Sequence, residues 1–503
     1  MSGRTKLAAV LAISALVAAP TATASAAAEP AGPALAKKLA KKVTVEGVNR
    51  HLIAFQRLAD RNGGNRAALT PGYDASVDYV AGKLRDEGFI VSTPTFDFDV
   101  AVTDAEIARV DGTTYQALIL NESPQTPAGG VTGPLRVVPE DATTGCEATD
   151  FAGQDFTGTV AMIRRGGCTF EQKHLNAFAA GAIAVLVSNN TAGPLSNVTL
   201  TNPGKIPVAG VSQADGTALA GKAGSAITVD VRFHTETRTQ RNVVAQTRTG
   251  RTNNVVMAGS HLDSVEVGPG INDNGSGSAS LLETALQLGS SPKVDNAIRF
   301  AWWGAEERGL IGSTEYVRSL TFEQQLDIAL YLNFDMVGSP NAAYFIYDGD
   351  DSDKVGAGAG PYGSAQIEKA FADYFAAKGV PTEGTDFSGR SDYGEFIAQG
   401  IPAGGLFTGA EGVKTAAQAA KWGGTAGVAY DPCYHSKCDN LGNIDRTALG
   451  RNAGAIAFVT AAYGVSTEDV NGVPPRSKRA EARSSVALSK AAHVGEHSHA
   501  AVS

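Results

Sequence analysis

The run Val255-Val256-Met257-Ala258-Gly259-Ser260-His261-Leu262-Asp263-Ser264 passes from unbroken apolar residues to a histidine and an aspartate in a few steps. Apolar residues without polar alternation predict a strand covered on both faces. Downstream, Gly270-Ile271-Asn272-Asp273-Asn274-Gly275-Ser276-Gly277 opens into a helix predicted over 278–288. The rhythm then repeats. A strand over 297–303 ends in Trp302-Trp303-Gly304-Ala305-Glu306-Glu307, and a helix follows near 313–320. The next strand, 329–334, runs into Asn333-Phe334-Asp335-Met336-Val337-Gly338. Buried strands alternating with helices predict an α/β fold: a mixed, mostly parallel central sheet flanked by helices.

On the amino-terminal side, helices are predicted over 46–61 and 74–88. In the second, Val77, Val80, Ala81 and Leu84 recur at helical spacing, and Phe89-Ile90-Val91 starts a strand. Between about 103 and 236 the texture changes to short β-branched runs at 160–163, 182–187 and 227–231, separated by Gly, Pro, Asn and Thr turns. With a helix near 170–180 ended by Gly181, this stretch reads as a self-contained α+β module inserted into the larger domain. A last helix is expected over 447–462. The resulting division is 27–42 linker or pro-segment, 43–102 and 237–466 one domain, 103–236 the insertion, and 467–503 a disordered or processed tail. The tail is rich in Pro, Ser, Lys and Arg and poor in large apolar groups.

The first 26 residues have their own logic. Arg4 and Lys6 precede an apolar run from Leu7 to Val17, then Pro20 and the small triplet Ala24-Ser25-Ala26. That is the pattern of a secretory signal, and the run is too short to span a bilayer. Export permits disulfides. The four cysteines form two sequence-close pairs, Cys146 with Cys168 and Cys433 with Cys438; of three possible connectivities, proximity favours the local one. Four cysteines around one metal is the rival reading, and no C-x-x-C spacing supports it. At 43% apolar and 18% charged residues, with net charge −9, the 503-residue chain is an ordinary globular protein. Its acidity argues against nucleic-acid or anionic-membrane partners. A secreted, extracellular monomer is expected.

Ligands in open α/β sheets bind beyond the carboxyl ends of the strands, and there this sequence places its metal-ligand side chains. Asp273 comes twelve residues after His261, Glu306-Glu307 and Asp335 follow two further strands, and Asp431-Pro432-Cys433-Tyr434-His435-Ser436-Lys437-Cys438 offers a second histidine. Two zinc ions want nitrogen and carboxylate ligands with a position left open for water. A carboxylate shared by both holds them about 3.5–4 Å apart. One shared Asp, one further carboxylate per metal and one His per metal meet that need, leaving a sixth carboxylate as general base. Each member alone has a bland reading: a strand-end cap, an acidic first helical turn for Glu306-Glu307, core packing for Trp302-Trp303. Their convergence at successive strand ends argues for the site.

These segments, with Asn62-Gly63-Gly64-Asn65-Arg66 and Lys421-Trp422-Gly423-Gly424, resemble the M28 family of zinc aminopeptidases, especially the secreted bacterial leucyl aminopeptidases. The resemblance covers about 45–100 and 240–465. The insertion resembles a protease-associated (PA) domain in Phe156-Thr157-Gly158-Thr159, Arg164-Arg165-Gly166-Gly167-Cys168-Thr169-Phe170 and Ala179-Ala180-Gly181-Ala182. The M28 resemblance implies one Zn²⁺ on His261, Asp273 and Asp335 and another on Asp273, Glu307 and His435, bridged by Asp273. It implies Glu306 as general base, Tyr434 as hydrogen-bond donor to the oxyanion, and Asp263 as the residue fixing the His261 imidazole. Arg390, Met336, Tyr347 and Phe407 would form the substrate side, accepting large apolar N-terminal residues such as Leu on peptides and proteins with free amino termini. Some relatives bind calcium through acidic residues near the mature N-terminus and on the last helix; here the last-helix positions are Gly450 and Gly454, so calcium is not expected. Two alternatives stand beside this reading. One is a receptor-like protein that keeps the fold without catalysis, against which the complete ligand set argues. The other is a different M28 specificity: dipeptidase, carboxypeptidase or glutaminyl cyclase-like acyltransferase.

Overall fold

The computed structural model describes residues 31–195 and 198–491, with side chains over 34–195 and 198–483. The expected signal segment 1–26 and residues 492–503 lie outside the described residues. The central sheet contains β1 (Ile90–Ser92), β2 (Val243–Gln246), β3 (Arg251–His261), β4 (Asn296–Trp303), β5 (Ile328–Phe334), β6 (Phe345–Tyr347), β7 (Glu383–Thr385) and β8 (Ala403–Phe407). Their spatial order is β1-β2-β4-β3-β5-β8-β6-β7. Strands β4, β3, β5 and β8 pair in parallel, while β1–β2, β2–β4 and β8–β6 are antiparallel. This is the mixed, mostly parallel sheet that the apolar runs implied.

Side chains alternate between two cores with the period of the pleat. Val256, Ala258, Phe300, Trp302, Leu330 and Leu332 join helices Val45–Arg61, Pro71–Asp86, Gly277–Leu288 and Arg446–Val465 on one face. Met257, Ala301, Trp303 and Tyr331 pack with Val317, Tyr393 and Phe396 on the other. Both faces are therefore dry, which is why these strands carry no polar alternation.

Two terminal segments depart from the sequence reading. Residues 31–42, expected to be linker, form the helix Ala31–Lys42, whose Ala36 and Leu39 are buried in the main core against Arg446–Val465. Its Ala/Lys composition hid a narrow apolar stripe suited to close helix approach. Beyond 467, expected to be disordered or removed, the helices Glu468–Asn471 and Arg476–Ala491 continue the chain; Val470 is fully buried, as are Arg479 and Arg483 save for a few per cent. That docking uses arginine–carbonyl bonds, which an apolar-residue criterion does not register.

The insertion builds a second eight-stranded sheet whose core runs parallel through Val131–Val137, Val160–Arg164, Ala184–Ser188 and Val208–Val211. Cys146 and Cys168 are bonded within it, and Cys433 and Cys438 are bonded in the main domain. The expected borders at 103 and 236 fall inside two long antiparallel strands, Thr95–Val110 and Ala226–Arg241, paired from Thr95↔Arg241 to Val110↔Ile227. Composition changes along this ribbon, and its pairing continues past the expected border at 103 with one register shift, between Thr103 and Ala105. Among the described residues, no helix is long and apolar enough to cross a membrane.

Candidate active site

Parallel register brings the functional side chains to one end of the sheet. His261 closes β3 opposite Trp303, the last residue of β4. Past Trp303, Ala305 adopts a left-handed conformation (φ 56°), and the chain turns to present Glu306 and Glu307. Asp335 directly follows β5, and Asp273 lies in the loop that leads to helix Gly277–Leu288. The Cys433–Cys438 loop carries His435 in from another direction. Asp273 sits between the two imidazoles: His261 Nε2 is 3.3 Å from its Oδ1, and His435 Nε2 is 3.3 Å from its Oδ2. His261 Nε2 is also 3.3 Å from Asp335 Oδ1 and 3.9 Å from Glu306 Oε2, while His435 Nε2 is 3.0 Å from Glu307 Oε2.

Buried polar groups need partners, and those here form a supporting network that the sequence reading did not contain. The Asp263 carboxylate, expected to orient the imidazole, stands 3.7 Å from His261 Nδ1, whose 3.1 Å contact is with the Asp263 backbone oxygen. The carboxylate itself accepts the Glu306 and Glu307 amides at 3.2 and 3.3 Å, bracing that turn. Asp439 accepts the amides of Asn272 and Asp273. Fully buried Arg66 donates to the carbonyls of Leu262, Pro269 and Gly270, tying the His261 strand end to the Asp273 loop. A directed chain reaches Asp335: Trp303 Nε1 donates to Tyr331, which donates to Asn333, whose amide donates to Ser391, whose hydroxyl donates to Asp335 Oδ2 at 2.6 Å. Arg66 lay in a quoted glycine-rich segment and Ser391 beside Arg390, so proximity to motifs was the available signal. Asn333 stood in the segment that carries Asp335, two residues before it, whereas nothing local marked Tyr331.

Electrostatics follow from packing so many carboxyls together. Burial raises Glu306 well above the usual carboxyl range, and Asp392, Asp335 and Glu307 add to this against the pull of His261. Burial, then the Asp273 charge, pushes Glu307 up to about 8. Asp392 is buried and is pushed up to about 7, chiefly by burial, against the opposing pull of His261 and the Ser313 hydroxyl. Burial opposes protonation of His435, yet its bonds to Asp273 and Glu307 raise it to about 10. For Asp273, burial acts upward, but hydrogen bonds from both imidazoles bring it below its usual value.

The cluster lines a cavity of about 90 Å³. Met336, Tyr347, Phe407, Arg390 and Tyr434 line it too, so every residue assigned from sequence to the substrate side borders the same space. The Arg390 guanidinium donates to Glu411 at 2.8 Å and to the Tyr434 hydroxyl at 3.3 Å. Burial keeps that phenol far above its ordinary range, hence neutral and able to donate its own proton in a hydrogen bond. Tyr347 lies between Phe387 and Tyr393, with ring centroids 5.2 and 4.7 Å away.

Comparison with known proteins places the chain. Residues 242–460 match peptidase family M28, and residues 131–219 match the PA domain. The "Probable lipoprotein aminopeptidase LpqL" of Mycobacterium tuberculosis is 46% identical over 484 residues, covering 94% of this chain and 97% of that protein. The chain belongs to peptidase family M28. This M28 peptidase is also 46% identical over 422 residues to the "Probable leucine aminopeptidase 2" of Aspergillus fumigatus, covering 82% of this chain and 81% of that protein. Among solved structures, a zinc aminopeptidase from Bacillus subtilis superposes with a TM-score of 0.62 at 26% identity, over 84% of this chain and 95% of that one.

The residues of this M28 peptidase fit zinc. Imidazole nitrogens and carboxylate oxygens are its usual donors. One donor atom each from His261, Asp273 and Glu307 lies within 4.8 Å of the others, and the same holds for His261, Glu306 and Asp335. Glu307 Oε1 is buried with no hydrogen-bond partner among the described residues, an acceptor left for a cation.

Proposed function

We propose that the chain is an exported aminopeptidase that holds two zinc ions and cleaves the first peptide bond of peptides bearing large apolar N-terminal residues. One observation carries the reading: the two oxygens of a single buried carboxylate, Asp273, each face a different imidazole at 3.3 Å. On this reading His261, Asp273 and Asp335 hold one ion, and Asp273, Glu307 and His435 the other. When bound, zinc supplies a Lewis acid and makes water acidic enough to be deprotonated near neutral pH.

The chain's own groups carry the proton and orient the substrate. Glu306 belongs to neither ligand set, and its carboxylate takes a proton from the attacking water and returns it to the departing amine. The Tyr434 hydroxyl donates to the scissile carbonyl oxygen as negative charge develops there, where a preorganised donor acts most strongly. Arg390, itself anchored on Glu411, donates to that phenol oxygen and keeps its proton free for the substrate. An α-ammonium entering the cavity meets the Glu306 and Asp335 carboxylates, and a backbone carbonyl at Gly389-Arg390 completes its shell. A blocked amino terminus leaves those acids unpaired, at a desolvation cost. Met336, Tyr347 and Phe407 give the neighbouring wall its apolar character, and adding or removing one methylene there changes discrimination by about 1–3 kcal/mol. The relative named as a leucine aminopeptidase supports that preference. The signal-like amino terminus and two disulfides support export.

A panel of aminoacyl anilides tests the proposal. Leu, Met and Phe anilides should be hydrolysed, N-acetyl-Leu anilide should not, and chelation should abolish activity that zinc restores. Equal cleavage of the blocked substrate would remove the exopeptidase reading. Elemental analysis giving one zinc per active chain would remove the second ion.

A further inference from the structure

The turn that presents Glu306 and Glu307 is a loop closed at its neck. Gly312 N donates to the Gly304 carbonyl at 3.0 Å and Ile311 N to the Ala305 carbonyl at 3.1 Å, so residues 304–312 leave β4 and come back to where they left it. Inside the loop, Gly309 N and Leu310 N both donate to the Glu306 carbonyl at 2.8 Å. Ala305 and Leu310 are left-handed, at φ 56° and 60°. Residues with a side chain keep that conformation where their surroundings impose it. Asp263 braces the loop through the Glu306 and Glu307 amides. The neck is held by a different part of the chain.

Asn242 stands at the foot of the long ribbon, one residue past its second strand, Ala226–Arg241, and one before β2. The residue is buried and its side chain spans the neck: Oδ1 accepts Gly304 N at 2.9 Å, and Nδ2 donates to the Gly312 carbonyl at 2.9 Å. Its backbone amide donates at 2.9 Å to the carbonyl of Pro94, the residue before the first ribbon strand, Thr95–Val110. One asparagine thus joins both feet of the ribbon to both ends of the loop. Tyr73 adds a second tie. Its hydroxyl donates to the Arg241 carbonyl at 2.6 Å, and it lies so close to Gly304 that a Cβ there would stand 2.3 Å from the phenol oxygen.

Apolar packing joins the same two parts. At the start of Thr95–Val110, buried and exposed side chains alternate with the pleat. Phe96 and Phe98 are buried in one small cluster with Ala68 and Ala305, and Leu69, Val100 and Ile311 pack against it. Asp97 and Asp99, on the exposed side, accept the Thr239 and Thr237 hydroxyls across the ribbon. The ribbon that leads to the insertion is therefore built into the loop that carries Glu306.

We propose, on the reading of Glu306 as general base, that Asn242 is a positioning residue for it and that the foot of the ribbon, backed by Phe98, sets where its carboxylate stands. Asn242 acts by fixing the exit from β4 at Gly304, two residues before Glu306, and small displacements of a catalytic group are costly. The tie belongs to the Thr95↔Arg241 end of the ribbon, whereas the Cys146–Cys168 bond lies in the module beyond its Val110↔Ile227 end.

Steady-state kinetics on Leu anilide at saturating zinc, with the folded, zinc-loaded fraction measured, test this. Asn242→Ala should lower kcat per loaded site by about tenfold, within what a displacement of ~1 Å can bring, and change KM by less than about twofold. A purely structural role would reduce the folded fraction and leave kcat per loaded site as it was. Because Asn242 acts through the Glu306 carboxylate, adding Asn242→Ala to Glu306→Gln should cost less than about twofold more. Unchanged kcat per loaded site, or a loss that persists in full in the Glu306→Gln background, overturns the assignment. If Asn242→Ala does not fold, Phe98→Leu decides by the same two comparisons, since it leaves the hydrogen bonds of the neck in place. It should show a smaller fall in kcat that disappears in the Glu306→Gln background; no fall, or one that persists there, overturns the assignment equally. Failure of the general-base reading shows separately, in the single variant: Glu306→Gln would then keep near-normal turnover, and the positioning role would fall with it.

Discussion

The two halves of the histidine–carboxylate cluster are built differently. His261, Glu306, Glu307 and Asp335 stand at the ends of hydrogen-bonded strands or in the turns directly after them, and His261 is only 1% exposed. Tyr434 and His435 sit on a loop; the His435 side chain is 38% exposed and its backbone is left-handed at φ 52°. The first half is positioned by the ladder and the cores beneath it. The second is held by a disulfide, by ring stacking of Tyr434 on His435 at 3.8 Å, and by Asp431, which accepts from Cys433 N and Asn272. A rigid floor and a restrained flap thus meet at Asp273, and each half can be broken separately.

The largest effect is expected where they meet. Asp273→Ala should lower zinc affinity by more than the ~10–100-fold typical of residues that merely orient ligands, because on the proposed two-ion reading both ions depend on it. Elemental analysis after dialysis checks this, and two tightly held zincs in the variant would show that another group is shared. On the floor, Glu306→Gln should cut turnover by about 10²–10⁴ while keeping the metal, since a base is lost and no ligand. Near-normal turnover, or loss of zinc, removes the assignment.

The flap responds more weakly. Cys433→Ser/Cys438→Ser opens a loop with a sequence separation of 5, worth about 2 kcal/mol in the chain-entropy account. Its larger consequence should be positional: turnover on Leu anilide should fall by up to ~10²-fold as Tyr434 and His435 drift. Full activity would mean that stacking and Asp431 hold the loop unaided. The smallest catalytic effect belongs to Cys146→Ser/Cys168→Ser, which opens a separation of 22 and should destabilise the PA unit by about 3 kcal/mol. Calorimetry should register that loss, while kcat/KM on a small anilide stays unchanged; a matched loss of activity would tie the insertion to the catalytic geometry.

Much of this was legible in the chain itself. Unbroken apolar runs at β3, β4 and β5 announced doubly covered strands, and the chemistry-bearing residues followed their carboxyl ends, where open α/β sheets place ligands. The terminal helices were not legible, for opposite reasons. Ala31–Lys42 buries only a narrow stripe, Ala36 and Leu39, within an Ala/Lys-rich stretch, while Arg476–Ala491 docks through arginines that composition counts as solvent-facing.

Sequence order and residue type were enough to establish the α/β architecture, the inserted module and the inventory of imidazoles and carboxylates. Only the folded chain decided which carboxyl faces which imidazole, that Asp263 braces the Glu306–Glu307 turn, and that Ser391, Asn333, Tyr331 and Trp303 back Asp335 in one directed chain. The reason is range. Periodicity and strand-end position are local properties, written within a dozen residues, whereas a hydrogen bond between Asp335 and Ser391 depends on strand register and on two packed cores, which no local window contains.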